Sequence, residues 1–447
     1  MAEEALVAES LILVAAVLGA GYFASRLMAS KGVPESIFMI FAGVVLGPVL
    51  HILDTGVFAP LAPYLGGLAL VAIMFDSGLG TDIDELLGQS KFAFVLAILT
   101  FLSGVTLIVF ILHILPNFMT IPGVPTFPLK EAMLYGTIVG GSSGAVVASV
   151  AKSIGMQKKL SLLLTIESIL TDALCIIGAF TVLMWITIPD LAPQQVATFI
   201  AAKFSVSLVT GALFGLIIAR VIHRRHPYTV ILALLFFLYG GTELVGGNGA
   251  IAVFISAVVL ANLERLPLVS REDVVASVNI RKESLGGFHA ELSFFIKVFF
   301  YLEVGLIFDV NIFNPDVAQA MLFGGAVALL LLLTRVPAAA FISRVSHIGE
   351  TKIISVFYAR GLAAAVLAFL PAQLGLSSSA FYLQSIAAII IFTNIVLTIG
   401  YPLATSGIFR RKVPYTRIER KELKEESKEE SKEESKEESK EERPYGF

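Results

Sequence analysis

Charge is what this chain has least of. Of its 447 residues only 15% are Asp, Glu, Lys or Arg, whereas 56% are hydrophobic, and the mean hydropathy is +0.85. A soluble globular chain carries about 25% charged residues, so a soluble enzyme is excluded. Cysteine is scarcer still. Cys175 is the one thiol, it lies in an apolar run, and no intrachain disulfide can form. No cluster of Cys or His with metal-ligand spacing occurs, so no resident metal or other cofactor is expected. A Walker glycine–lysine loop is also missing, which excludes an ATP-driven pump. The formal net charge of −3, with no basic face, argues against nucleic acid as a partner.

The little charge there is concentrates at one end. Residues 410–447 hold 12 basic and 12 acidic side chains, leaving 20 basic and 23 acidic in the first 409 residues. Such a sparse body fits a helical bundle bathed in lipid, and the chain divides into a transmembrane domain, 1–409, and a tail, 410–447. Within the tail the tetrapeptide Ser427-Lys428-Glu429-Glu430 occurs four times in succession, ending at Glu442. A period of four stacks like charges at i,i+4 while Glu429 and Lys432 make an attractive i,i+3 pair. The pattern predicts a solvated, partly helical or disordered cytoplasmic extension.

A bilayer core of about 30 Å takes roughly 20 apolar residues per helix. By that measure thirteen spans are centred near residues 17, 43, 69, 103, 140, 172, 207, 235, 254, 299, 328, 363 and 393. The first run, from about Ala5 to Met28, is too long for a signal peptide and is led by Glu3 and Glu4, so it is expected to be a true span. Basic residues set the orientation. The loops after odd-numbered spans carry fifteen of them, from Arg26 to Lys352, whereas the even-numbered loops carry Lys130 alone. The N-terminus is therefore expected outside and the C-terminus in the cytoplasm. The fold class is an all-α polytopic membrane protein of about thirteen transmembrane helices.

Ionisable residues inside the apolar runs come next, because each costs at least about 2.5 kcal/mol at bilayer depth and marks a pathway or a buried pair. They are Asp76, Glu167, Asp172, Lys203, Glu243, Glu291, Lys297, Glu303, Arg335 and Arg360. Lys203, Glu243 and Glu291 lie near span ends and are expected to snorkel. Asp172 sits in mid-span, with Thr171 beside it and Ser168 one turn earlier on the same face. Two hydroxyls and a carboxylate suit a small, hard, partly dehydrated monovalent cation, and protons can compete for the same carboxylate. Glu167 lies five residues from Asp172, about 140° around a helix, so the two acids face different neighbours.

The preceding span contains Gly140-Gly141-Ser142-Ser143-Gly144 at mid-membrane depth. Glycines weaken a helix there and serines replace lost backbone bonds, which predicts an interrupted helix whose ends face the ion site. Seven spans later, Arg360-Gly361-Leu362 is a second, weaker candidate break. An odd separation makes spans 4–6 and 11–13 run in opposite directions. Inverted repeats with interrupted helices at matching places are a signature of secondary transporters.

These motifs resemble those of the monovalent cation:proton antiporters, nearest the NhaP-type sodium/proton exchangers. Phe75-Asp76-Ser77-Gly78-Leu79 is similar to the family's acidic motif on span 3. Glu167-Ser168 followed by Thr171-Asp172 resembles its Glu-Ser…Asn-Asp motif, with Asp172 at the transport aspartate. Gly246-Gly247-Asn248-Gly249 resembles its glycine-rich lead into span 9, and Arg335 matches a basic residue expected to pair with Glu167. Two positions depart from the pattern. Thr171 stands where these exchangers usually have Asn, and Ser142-Ser143-Gly144 stands where they usually have Thr-Asp-Pro, closer to potassium-efflux relatives. The resemblance implies exchange of a monovalent cation for protons across the cell membrane, with Na⁺ favoured and K⁺ the alternative. The expected ion site comprises Asp172, Thr171, Ser168, Asp76, Ser142 and Ser143, with Glu167 and Arg335 as a structural pair. Because a single unpaired titrating carboxylate stands at the site, electroneutral exchange is expected. The resemblance also implies a homodimer in which a core of spans 4–6 and 11–13 moves against the remaining helices.

Two other classes compete. An intramembrane aspartyl protease would use Asp76 and Asp172 as a proton-sharing dyad, but such enzymes need a Gly-x-Gly-Asp segment. Here Gly78-Leu79-Gly80 is followed by Thr81, with Asp82 one position late. A channel would not need a titrating carboxylate.

Overall fold

The computed structural model describes residues 15, 18–19, 21–23, 34–53, 62–80, 91–119, 126–188, 193–221, 227–263, 294–306 and 315–405. The tail repeats and the loops that carry Arg26, Lys31, Arg224, Arg225, Arg265, Arg271, Arg281 and Lys282 lie outside the described residues. Among the described residues the regular structure is entirely helical. In chain order the helices are α1 (Glu35–Val44), α2 (Ala62–Leu79), α3 (Lys91–Val109), α4 (Leu129–Val139), α5 (Gly144–Ser153), α6 (Lys158–Thr187) and α7 (Pro193–Val221). They continue as α8 (Pro227–Leu244), α9 (Gly249–Ala261) and α10 (294–306). The last five are α11 (Pro315–Val345), α12 (Thr351–Val356), α13 (Leu362–Leu367), α14 (Leu370–Gln373) and α15 (Ser379–Thr405). The chain separates into two compact units, Met1–Pro402 and Leu403–Phe447, and only residues 403–405 of the second are described.

Five of the described helical stretches are long and apolar enough to cross a membrane unaided, namely Lys91–Asn117, Lys158–Thr187, Ala201–Arg220, Val317–Val345 and Ser379–Thr405. α6 alone, with 30 residues, is about 45 Å long at 1.5 Å per residue. Both interruptions read from the sequence are present. α4 stops at Val139 and α5 starts at Gly144, with Gly140 to Ser143 outside any helix; α12 stops at Val356 and α13 starts at Leu362. Glycine's backbone entropy and the tendency of serine to bond its own backbone disfavour helix at the first break.

Packing divides the helices into two groups. One places α3, α4, α5, α6, α11, α12 and α13 around the breaks; the other pairs α9 with α7, α8 and α2, and α2 also touches α6 and α13. α15 joins the first group, where the Tyr135 hydroxyl donates to Ser385 Oγ at 2.8 Å. α1 and α10 cross so closely that a Cβ on Gly43 would strike the Leu302 carbonyl, and one on Gly305 would strike the Ile40 carbonyl. Only glycine permits that approach, as in other membrane helix pairs packed through small residues. At the head of α9 the Asn248 side chain accepts the Ile251 N–H at 3.0 Å and Glu243 Oε1 accepts the Gly249 N–H at 2.8 Å. Glu243, expected to snorkel, is exposed and also serves as a cap that satisfies an orphan helix donor.

Candidate ion-binding site

The site forms where α6 passes the two breaks. Glu167, Ser168 and Thr171 are fully buried, and Asp172 keeps 8% of its surface exposed. Each of the two acids has a different set of partners, as their five-residue spacing requires.

Glu167 is held from three sides. Arg335 of α11 grips it with two parallel bonds, Nη1 to Oε1 and Nη2 to Oε2, both 2.9 Å. Ser142 Oγ donates to both carboxylate oxygens at 3.2 and 3.1 Å, and Thr100 Oγ1 of α3 donates to Oε1 at 3.3 Å. The third Arg335 donor, Nε, reaches the Ile354 carbonyl in the last turn of α12 at 2.9 Å. A fork-to-fork arginine–carboxylate pair in a low-dielectric site needs its remaining donors and lone pairs satisfied, and here they are.

Asp172 is placed differently. Its Oδ2 accepts the backbone N–H of Gly144, the first residue of α5, at 2.9 Å. The carboxylate therefore sits on the positive end of a half-helix, where orphan N–H groups and the helix dipole favour negative charge. A Cβ at position 144 would stand 3.3 Å from Oδ2, so glycine keeps this approach open.

The neighbouring hydroxyls are mostly spent on backbone. Thr171 Oγ1 accepts the Ser142 N–H at 3.1 Å and faces the carbonyls of Ser142 and Ser168 at 3.2 and 3.1 Å. Ser168 Oγ donates to the Thr165 carbonyl at 2.9 Å within its own helix. Ser143 N–H donates to the Ala359 carbonyl at 2.8 Å, which ties one break to the other. Thr171, Ser142 and Ser143 thus repair the interrupted backbone, as membrane proteins must where a helix stops in hydrocarbon. Asp76 stands on α2 and is exposed, unlike the buried cluster.

Arg360 belongs to this site, although the sequence reading assigned it no role beyond marking a break. It is 4% exposed in the second break, and its Nη1 donates to the Tyr358 carbonyl at 2.7 Å. A cation there complements the negative, carbonyl-bearing end of α12 just as Asp172 complements the positive end of α5. The Arg360 backbone is held by α15: Thr393 Oγ1 accepts the Arg360 N–H at 3.0 Å, and Asn394 Nδ2 donates to the Arg360 carbonyl at 2.8 Å. Ser36 of α1 donates to Asn394 Oδ1 at 3.0 Å. The signal for Arg360 was present in its buried charge; Thr393, Asn394, Thr100 and Ser36 gave none, because single hydroxyls and amides in apolar runs are common.

The model of the transmembrane sodium/hydrogen exchanger family matches residues 12–405. The Na(+)/H(+) antiporter NhaH of Halobacillus aidingensis is 24% identical over 319 residues, which is 67% of this chain and 73% of that one. The Na(+)/H(+) antiporter NhaG of Bacillus atrophaeus is 24% identical over 145 residues, covering 30% of this chain and 27% of its own length. The fold is that of the sodium proton antiporter MjNhaP1 of Methanocaldococcus jannaschii, with a TM-score of 0.72 at 18% identity over 88% of this chain and 99% of that one. A second structure of the same antiporter gives a TM-score of 0.64 at 20% identity, over 90% and 99% of the two chains. The chain is a multi-pass membrane transporter rather than an enzyme, and it belongs to the sodium/hydrogen exchanger family.

Proposed function

We propose that Asp172 is the group on which Na⁺ and H⁺ alternate, and that Glu167 and Arg335 hold the site together without touching the transported ion. One observation carries this reading. Of the four buried charged residues at the crossing, Glu167, Arg335 and Arg360 are at most 4% exposed, whereas Asp172 is 8% exposed and uses only Oδ2 in a described hydrogen bond. Oδ1 is left as the oxygen that an incoming ion or proton meets. Glu167, gripped by a guanidinium and two hydroxyls, has no such freedom.

Charge balance supports one-for-one exchange. With Asp172 ionised, the two acids are matched by Arg335 and Arg360. A single bound Na⁺ or a single bound proton then adds the same charge, so a carrier alternating between them moves no net charge per cycle. Thr171 replaces the neighbour that would supply a second acid. Na⁺ is the favoured cation, with K⁺ and Li⁺ as the alternatives to be tested. The group built from α3–α6 and α11–α15 is the moving core in this reading, and the helices packed on α9 form the scaffold and the contact with a second copy in a homodimer. The bias of basic residues toward the loops after odd-numbered spans supports an N-terminus outside the cell membrane and a C-terminal tail in the cytoplasm. The deciding experiment is dissipation of a pH gradient in proteoliposomes with Na⁺, Li⁺ and K⁺ offered separately. A Na⁺ response at least as strong as the K⁺ response is expected, and a response to K⁺ alone overturns the assignment of Na⁺.

A further inference from the structure

Glu303 of α10 is 1% exposed, and neither of its carboxyl oxygens has a hydrogen-bond partner among the described residues. An acid sealed without a partner at bilayer depth is a standing cost to the fold. The ion site does not use it. Such a residue is explained by a second state of the protein in which water or a cation reaches it.

The sequence around it identifies a counterpart. Leu302-Glu303-Val304-Gly305-Leu306 repeats, 227 positions later, the pattern of Phe75-Asp76-Ser77-Gly78-Leu79, in which the acid stands two residues before a glycine–leucine pair. A further aspartate follows each acid by six residues, Asp82 in one segment and Asp309 in the other. By the sequence reading α2 and α10 are spans 3 and 10, seven apart like the two broken spans. Packing repeats the relation. A Cβ on Gly78 would strike the Phe254 carbonyl of α9, as one on Gly305 would strike the Ile40 carbonyl of α1. α1 and α9 are spans 2 and 9, so span 3 crosses span 9 as span 10 crosses span 2. The two acids therefore occupy matching places in an inverted repeat, yet Asp76 is exposed and Glu303 is sealed.

In an inverted-repeat transporter, rocking about a fixed site opens one face while it closes the matching one. We propose that Asp76 and Glu303 are paired cation-gathering acids, one for each face of the membrane, and that Glu303 is uncovered when the ion site faces the other way. The sides follow from the orientation proposed above, on which this assignment rests: α2 ends toward the cytoplasm and α10 toward the outside. Asp76, near the end of α2, serves the cytoplasmic mouth, and Glu303, near the end of α10, serves the outer one. Movement of the core can expose Glu303, because α10 lies against the second break. The ring of Phe300, one turn before Glu303, meets that of Phe369 edge-on at 6.0 Å. Neither acid crosses the membrane with the ion, so the one-for-one exchange at Asp172 is unaffected.

The test measures Na⁺-dependent exchange by the full-length protein from each face, in right-side-out and in everted membrane vesicles. An acid at a mouth raises the local cation concentration, so Glu303→Gln is expected to raise the outer KM for Na⁺ by about fivefold or more. The cytoplasmic KM should stay within about twofold of wild type, since its own acid is intact. Asp76→Asn is expected to do the reverse, and Glu303→Asp to keep the outer KM low. In a Cys175→Ala background, Glu303→Cys is expected to react with a membrane-impermeant maleimide added outside while exchange is running. The proposal is overturned if both KM values of Glu303→Gln rise together, if neither moves, or if Glu303→Cys stays unlabelled from outside during exchange. Wild-type vesicles that show no Na⁺ exchange refute the exchange reading itself.

Discussion

Ser143 donates its backbone N–H to the carbonyl of Ala359 at 2.8 Å, across 216 positions of sequence. This bond joins the two helix breaks directly. Each break leaves orphan N–H and C=O groups in the middle of an apolar bundle, where water cannot satisfy them. The breaks satisfy part of that demand for each other, and the ion site is built on the junction.

Asp172→Asn keeps the shape of the side chain and its acceptor oxygen for the Gly144 N–H, but removes the charge. Na⁺/H⁺ exchange in proteoliposomes is expected to fall to background while the protein remains folded and inserted. Near-normal exchange by that variant defeats the assignment of Asp172 as carrier.

Glu167→Ala leaves Arg335 buried without its counter-charge, which costs about 3–5 kcal/mol. Its melting midpoint in detergent is expected well below that of Asp172→Asn. Combining Glu167→Ala with Arg335→Ala should cost less than the sum of the two, because the orphan charge goes with the second change. If Asp172→Asn is the less stable of the two single variants, the division of roles is wrong.

At position 361 a Cβ would overlap Ser143 Oγ and approach the Tyr301 hydroxyl to 3.0 Å, whereas at Gly240 it would meet nothing within 4 Å. Gly361→Ala is therefore expected to push the breaks apart and destabilise by about 1–3 kcal/mol, with loss of exchange. Gly240→Ala, within α8, should be neutral or stabilise by up to about 1 kcal/mol. Thermal melts and transport of both variants compare a crossing glycine with a permissive one. Equal behaviour rules out the crossing as the constraint.

Electroneutral exchange predicts that a membrane potential set with valinomycin and potassium drives no Na⁺ or H⁺ flux when neither ion has a gradient. Measurable flux under that clamp means more than one titrating group returns per cation. Asp76 is then the next residue to change, and Asp76→Asn should abolish the voltage response if it is the second carrier.

How much of this was legible in the sequence depends on the range of each signal. Scarce charge and long apolar runs establish a polytopic helical protein, because a lipid-spanning segment must satisfy its own backbone. Glycines and serines at mid-membrane depth identify the first break for the same local reason, and Arg360-Gly361 marks the second more weakly. Asp172 stands out since a charge in mid-span is costly wherever its partners lie. Partner choice is another matter. Arg335 and Glu167 are 168 residues apart, and nothing in local periodicity says which cation meets which acid; the resemblance to a family supplied that expectation, and the packing of both α11 and α6 on α3 supplies the geometry. The tertiary structure alone decides that the hydroxyls of Thr171 and Ser142 go to the broken backbone and to Glu167. It alone puts Arg360 at the end of α12 and hangs Asp172 on the N–H of Gly144. Sequence records the price of burying a polar group, and only the folded chain shows which neighbour offsets it.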